Sequence, residues 1–307
     1  MLIIPRPDPG HQPVLLNEVL ESLKPSHGQT IVDCTVGRGG HALAIARRLA
    51  PGGILIGLDA DPRNLEFAHA RLNAPDKPDC TIRLFHANFN QLDEVLDQAQ
   101  IPLVDAILAD LGISTNQLFD PLYGLSFDSD MPLDMRLDPA TEKSAADLVN
   151  HLPELELANV LYELAQERYS RQIARNIVEA RRLMPIQSTG RLAELVRAAI
   201  PRKKGPPPRI DPATRTFLAL RLAVNQEPAN LARLLDRAPK RLKPSGRLAV
   251  ISFQSTEDRL VKQAMRLLDQ SGTFDRPIKP ITPSDAEIAN NPRSRSARLR
   301  MIHKRLS

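Results

Sequence analysis

Residues 30–41 read Thr-Ile-Val-Asp-Cys-Thr-Val-Gly-Arg-Gly-Gly-His, and residues 54–62 read Ile-Leu-Ile-Gly-Leu-Asp-Ala-Asp-Pro. Each opens on a short, β-rich apolar run that closes at an acid. Between them His41 to Leu49 has a helical pattern, stopped by Pro51-Gly52-Gly53. Pro62 stands where a helix favours its first residue, with Asp61 as its cap. An apolar strand, a glycine turn, a helix and a second apolar strand are the parts of a parallel βαβ unit. Working outward, Thr81–His86 and Val104–Leu108 repeat the strand signal, and Leu16, Val19, Leu20 and Leu23 give residues 12–24 one apolar helix face. The expected fold is α/β, a mostly parallel sheet with helices on both faces.

After the fourth strand the rhythm breaks. The next strand signal is Arg247-Leu-Ala-Val-Ile-Ser-Phe253, set up by a turn at Lys243-Pro-Ser-Gly246. About 130 residues lie between, far more than a βα crossover needs. The excess predicts an inserted all-helical domain. It opens with a Pro- and Asp-spotted loop over 121–139, and Leu157, Val160, Leu161 and Leu164 share one helix face, as do Leu192, Leu195, Val196 and Ala199. The predicted organisation is a first part of the core over 1–115, the insertion over 116–210, and a second part of the core with a basic tail over 211–307. A helix from Asp211, with Phe217, Leu220 and Val224 in register, is expected to return the chain to the sheet.

The 307 residues suit one large α/β domain or two domains of about 100–200 residues, and 42% apolar content excludes wholesale disorder. No run of about 18 apolar residues could cross a bilayer, and the first residues lack a secretory pattern. Cys34 and Cys80, without CxxC spacing, exclude a disulfide framework and a Cys-based zinc site. A cytoplasmic protein without a metal is expected. Charge is unevenly placed. Eleven Lys and Arg stand against two Glu from Arg168 to Arg209, and six stand with no acid from Arg293 to Arg305. That clustering suggests a polyanion partner. A solvated helix face and a frayed tail fit the composition as well. With no Trp and 4% aromatic residues, stacked aromatic platforms are not the main mode of recognition.

The glycines after Asp33 let backbone approach a ligand at a helix N-terminus, and Asp59 lies where a carboxylate accepts from ribose hydroxyls. S-adenosylmethionine, a dinucleotide and a purely structural turn all fit this pattern. Two details favour the first. The run is G-x-G-G, without the third glycine that admits a pyrophosphate, and Asp33 would repel phosphates while tolerating a cationic methionine portion. At the end of the third strand Asn88-Phe89 suits an adenine edge and face, although Phe89 as plain core fits equally. Asp110, closing the fourth strand, sits where ligands meet the carboxyl edge of an open sheet.

Eight motifs carry a resemblance. They are His11-Gln-Pro-Val-Leu-Leu-Asn-Glu-Val19, Asp33-x-Thr-x-Gly-Arg-Gly-Gly-His41, Ala109-Asp-Leu-Gly-Ile-Ser114, Gly124-Leu-Ser-Phe127, Pro132-Leu-Asp-Met-Arg-Leu-Asp138, Pro212-Ala-Thr-Arg-Thr-Phe217, Ile251-Ser-Phe-x-Ser-x-Glu-Asp-Arg259 and Asn291-Pro-Arg-x-Arg-Ser296. In this order, from His11 to about Arg300, the chain resembles the RsmH (MraW) family. These are bacterial methyltransferases acting on N4 of a cytosine in 16S ribosomal RNA at the decoding centre. The resemblance implies a Rossmann-like S-adenosylmethionine methyltransferase core with an inserted helical substrate domain. It implies cofactor contacts from Gly39, Gly40 and His41 in the loop, Asp59 at the ribose, Phe89 near the adenine, and Asp110 and Gln117 completing the pocket. The chain departs from the family pattern at Cys34, Val36, Asp211, Gln254 and Thr256. Gln254 replaces a histidine, which counts against a histidine there taking the proton.

Asp110, with nearby backbone carbonyls, is the candidate acceptor for the hydrogens of a cytosine amine; orienting the cofactor is its other reading. Arg202, Lys203, Lys204 and Arg209 flank the stiff Gly205-Pro-Pro-Pro208 and are expected to meet RNA phosphate, against the alternative of a solubilising linker. A nicotinamide-dependent oxidoreductase and a non-catalytic RNA-binding assembly factor on the same core are the rival functions.

Overall fold

The structure is a computed structural model and describes residues 13–201 and 211–306. The described residues form two compact units, one of residues 13–112 with 229–306, the other of residues 113–201 with 211–228. The first runs through α1 (Leu16–Leu23), β1 (Thr30–Asp33), α2 (Gly40–Leu49), β2 (Ile54–Asp59), α3 (Pro62–Leu72), β3 (Thr81–His86), a 3-10 turn (Phe89–Gln91), α4 (Leu92–Gln98) and β4 (Val104–Asp110). The second unit holds α5 (Thr115–Phe119), α6 (Ala145–His151), α7 (Glu154–Ala165), α8 (Ser170–Leu183), α9 (Thr189–Ala199) and α10 (Thr214–Val224). The chain then continues through α11 (Glu227–Arg237), β5 (Leu242–Ser252), α12 (Ser255–Gln270), α13 (Asp285–Asn290) and β6 (Arg298–His303).

The strand order is β3-β2-β1-β4-β5-β6, parallel throughout except that β6 runs antiparallel to β5. This is a Rossmann-like sheet. Alternate residues of each strand point to opposite faces. Ile31, Leu55 and Leu108 pack with Leu23, Ile45, Leu49 and Leu72 of α1–α3. Val32, Ile56 and Ile107 pack with Leu96, Leu234 and Met265 of α4, α11 and α12. Because both faces are covered, the strands read as continuous apolar runs. Asp61 caps α3 as the sequence predicts, its carboxylate accepting from the Arg63 amide with Pro62 in the first turn. The segment 243–246 is not a turn before a strand. β5 already pairs at Leu242 with Val104, and the register then slips so that Arg247 faces Ala106. The slip absorbs Pro244 and Gly246 as an irregularity inside one long strand.

The helical unit buries Leu157, Leu161, Ile173, Ile177, Leu192 and Val196 in its own core. That core also takes Phe217, Leu220 and Val224, so α10 belongs to the helical unit and does not lead the chain back to the sheet as expected from Asp211. The apolar face of α10 is complete against the helical core. The return falls to α11, whose Leu231, Leu234 and Leu235 join the core of the sheet. The helical unit therefore spans residues 113–228, wider than the expected 116–210.

The basic tail is also built in, and is neither frayed nor a free run of cations. β6 carries Arg298 and Arg300 onto Asp258 of α12, with Arg300 Nε donating to Oδ1 at 2.6 Å and Nη2 to Oδ2 at 3.1 Å. Lys304 donates to the Leu242 carbonyl and Arg305 to Asp275. In the helical unit Arg181 donates to the carbonyls of Val149 and Leu152, and Arg197 pairs with Asp211. Much of the clustered charge is thus engaged inside the protein. No helix among the described residues is long and apolar enough to cross a membrane.

Candidate active site

The strand order reverses between β1 and β4, and at such a point an open sheet receives ligands beyond its carboxyl edge. Three of the strands reaching this edge end in acids: Asp33 on β1, Asp59 on β2 and Asp110 on β4.

Asp33 is fully buried. Its Oδ1 accepts from the Thr35 amide at 3.1 Å, while Oδ2 is buried without a hydrogen-bond partner. Burial, together with the charge of Asp59, pushes its carboxyl up to about 7 against the pull of the Thr35 bond. Thr35 also reaches the neighbouring strand, where its hydroxyl accepts from the Asp110 amide at 2.6 Å. One threonine thereby sets the spacing of two acids.

Asp110 keeps 24% of its side chain exposed, yet its Oδ1 is buried and unpartnered. Burial, then the charges of Asp33 and Glu257, push its carboxyl up to about 8. His41 lies beside it with Nδ1 3.7 Å from Oδ2, too long for a hydrogen bond, while its Nε2 meets the Val14 carbonyl at 2.9 Å. His41 therefore ties the N-terminal segment to the acid cluster.

Asp59 accepts from the Gly37 amide through Oδ2 at 2.7 Å, and from the Asp61 amide at 2.9 Å and Asn64 at 3.4 Å through Oδ1. Burial outweighs these bonds and raises its carboxyl to about 6. The residue braces the glycine loop from the second strand. In the loop, Gly37 has φ +53°, and a Cβ there would come no nearer than 4.0 Å to the Thr35 carbonyl, its closest neighbour, leaving open space for a ligand. Gly39 has φ +79° and its absent Cβ faces Ala68; a Cβ on Gly40 would meet Pro13 at 2.6 Å. These two glycines let α2 start close against α3 and the N-terminal segment, and Gly37 is the one with free space beside it.

Phe89 opens the turn after β3, its ring half-buried against the core. The side-chain oxygen of Asn88, expected at an adenine edge, instead accepts from the Asn90 amide and caps that turn. At the end of β5 the Ser252 hydroxyl is buried without a partner. Glu257, in the first turn of α12, accepts from the amides of Phe253 and Gln254 at 3.1 and 3.2 Å, holding the strand end beside Asp110. Gln254 is the N-cap of α12, and its side chain accepts from the Glu257 amide. Its role is that of a cap.

Gly39, Gly40, His41, Asp59, Phe89 and Asp110 thus lie in one unit at one edge of the sheet. Gln117 belongs to the helical unit, where its Oε1 accepts from the Ser114 amide in a capping box at the start of α5. Arg202, Lys203, Lys204 and Arg209 lie outside the described residues. Sequence reasoning misses Thr35, Ser252 and Glu257. The signal is present, since all three stand inside motifs of the resemblance, but only the fold shows their surroundings.

Among the described residues no cluster of His, Cys, Asp or Glu could hold a metal ion, and no Lys or Arg pairs with Asp33 or Asp110. Three carboxyls at strand ends around a glycine loop disfavour a pyrophosphate and suit a cation, whose charge favours their ionised form. The donor set fits S-adenosylmethionine: a sulfonium and an ammonium against the acids, a ribose against Asp59, an adenine near Phe89.

A Rossmann-like sheet with an acidic, glycine-lined switch point is the frame of a nucleoside-cofactor enzyme, and its acids suit a cationic cofactor such as that of a methyltransferase. Residues 8–305 match the model of the MraW methylase family, and the chain belongs to that family. Similar proteins include the ribosomal RNA small subunit methyltransferase H of Syntrophobacter fumaroxidans, 45% identical over 98% of each chain. The protein of that name from Solibacter usitatus is 45% identical over 96% of this chain and all of its own. That from Desulfosudis oleivorans is 41% identical over 96% of this chain and 98% of its own.

Proposed function

We propose that the chain transfers a methyl group from S-adenosylmethionine to the N4 amine of a cytosine in the 16S ribosomal RNA of the small subunit. The observation that carries this reading is the pair of unpartnered buried oxygens, Asp33 Oδ2 and Asp110 Oδ1, on the two strands flanking the switch point. Such orphans are costly unless a ligand meets them. The printed names of the relatives, ribosomal RNA small subunit methyltransferases, support the substrate class.

S-adenosylmethionine supplies a methyl on a sulfonium, open to in-line displacement. The protein is left with positioning and charge. Asp59, already held by two backbone amides, offers its remaining lone pairs to the ribose hydroxyls. Gly37 admits the ligand, and Phe89 presents a ring to the adenine. Asp33 balances the cationic portion. Asp110 accepts a hydrogen bond from the cytosine amine, whose lone pair is otherwise delocalised into the ring, and takes the proton as the new C–N bond forms. Its carboxyl, raised to about 8 in the ligand-free protein, is drawn into the accepting, ionised form by the positive charge of the sulfonium and keeps the proton once that charge is gone. Gln254, engaged as a helix cap, has no part in this transfer. A base in structured RNA must be turned out to reach the site, an unstacking cost of a few kcal/mol. Phosphate contacts from Arg202, Lys203, Lys204 and Arg209 offset that cost.

The test is methylation of small subunits and of naked 16S RNA from a strain lacking the gene, with mass mapping of the product. One N4-methylated cytosine is expected, lost in Asp110→Asn. A methyl on a ring carbon or a ribose, or an Asp110→Asn variant of full activity, overturns the assignment.

A further inference from the structure

Asp33 and Asp110 are unusual as neighbours. Asp33 is buried and Asp110 partly so, each carries a buried oxygen with no partner, and Thr35 joins them by accepting from the backbone of one and donating toward the carboxylate of the other. The groups around them are mostly of their own sign. Asp59 of β2 acts on Asp33, and Glu257 of α12 acts on Asp110. His41 of α2 faces Asp110, and Cys34, whose thiol burial pushes up, follows Asp33 along the chain. Two like charges so placed cannot both ionise readily without a counter-charge.

We propose that this acid pair is a charge sensor that separates the cofactor from its spent product. S-adenosylmethionine and S-adenosylhomocysteine share the adenosine and the amino-acid portion. They differ by a methyl and by one positive charge on sulfur. With a neutral thioether in the site the pair retains a proton. With a sulfonium in the site the pair ionises, and a proton leaves to solvent. The pair therefore holds the charged cofactor and loosens its grip once the methyl and the charge have left, which favours product release. This inference rests on the cofactor reading above and adds a specificity role for Asp33 that transfer alone does not require.

Linkage gives the sign. A ligand whose binding expels a proton binds more tightly as pH rises, by up to about tenfold per pH unit for each proton expelled. The window is set by the raised carboxyls, about 7 for Asp33 and about 8 for Asp110 in the ligand-free protein. From pH 6 to pH 8 the affinity for S-adenosylmethionine is expected to rise more steeply than that for S-adenosylhomocysteine, so that their ratio grows by roughly fivefold or more.

The experiment is titration calorimetry of the full chain with each ligand at pH 6, 7 and 8, in two buffers of different ionisation heat, which counts the protons released. More protons are expected to leave with S-adenosylmethionine than with S-adenosylhomocysteine. Asp110→Asn, which removes one of the two titrating carboxyls, should flatten the affinity ratio. Thr35→Val, which keeps both acids but cuts the bridge, should shift the pH at which the ratio changes. Equal proton release for the two ligands, or a flat ratio in the parent protein, overturns the sensor and leaves the cofactor reading standing. Binding of neither ligand overturns both.

Discussion

The pair Arg300–Asp258 offers the sharpest test of how the basic tail is used. Its two ends are 10% and 9% exposed, and the guanidinium engages both carboxylate oxygens. Arg298, half-exposed, adds a third bond at 3.0 Å. Burial opposes ionisation of Asp258, but the bonds from the two arginines overcome it and hold its carboxyl below the usual range. Asp258→Leu leaves the Arg300 charge buried and uncompensated, a loss of about 3–5 kcal/mol. Arg300→Leu is milder, about 2–3 kcal/mol, because it removes both bonds from Arg300 but leaves Arg298 to answer Asp258. The double variant, with an apolar pair in place of the ions, should recover most of the loss. Urea unfolding followed by circular dichroism gives each value. Because the carboxyl is lowered in the folded state, this contribution is present above about pH 4 and fades as pH falls through the folded value. If Asp258→Leu lies within about 1 kcal/mol of the parent, or the double variant is no better than the worse single, the clamp is not what fixes β6. RNA binding by Arg300→Leu should keep the parent's salt dependence.

Asp59→Ala should weaken S-adenosylmethionine by about 1.5–3 kcal/mol, the worth of hydrogen bonds to a charged group; calorimetry that finds unchanged affinity removes Asp59 from the ribose. Asp33, Asp59 and Asp110 all have raised carboxyls, so between about pH 4 and 8 the folded protein binds more protons than the unfolded chain, and stability falls as pH rises. Ligand-free Tm should therefore drop from pH 5.5 to 8 by scanning calorimetry, with the drop reduced by saturating S-adenosylmethionine; a Tm that climbs over that range contradicts the burial of the acids. Alanine at Arg202, Lys203, Lys204 and Arg209 together should flatten the salt dependence of RNA binding, by a slope of about 0.7–0.9 for each phosphate no longer met. Cofactor affinity should stay as it is, and an unaltered slope in binding curves at several salt concentrations retires the phosphate role.

The parallel sheet is legible because β1, β2 and β4 are buried on both faces and so leave unbroken apolar runs, each punctuated by an acid. The insertion is legible as an excess of chain, but its far boundary is not. Phe217, Leu220 and Val224 declare that α10 has an apolar face without saying which core receives it. Charge misleads for the same reason. Arg300 and Arg181 read as surface cations in a string of letters, and only the fold brings Asp258 to one and the Val149 and Leu152 carbonyls to the other. In the loop, the resemblance singles out Gly39 and Gly40 as cofactor contacts. Their missing side chains make room for Ala68 and Pro13, whereas Gly37 makes room for a ligand. Thr35 escapes notice because a threonine at a strand end usually needs no explanation.

Placing the helical unit between β4 and β5 has a consequence for how the protein is made. Strands β3, β2, β1 and β4 are complete by Asp110, yet the strand that pairs with the other side of β4 begins at Leu242. During synthesis the ribosome must add about 130 residues while the outer edge of β4 has no partner, on the order of ten seconds at ~5–20 residues per second. An apolar edge left open invites pairing with the wrong strand. A helical unit with its own core and mostly local contacts can fold within that interval, and doing so shortens the effective loop that must close before β5 arrives. Weakening that core, for instance at Leu161 or Ile177, would then show up first as aggregation of newly made chains.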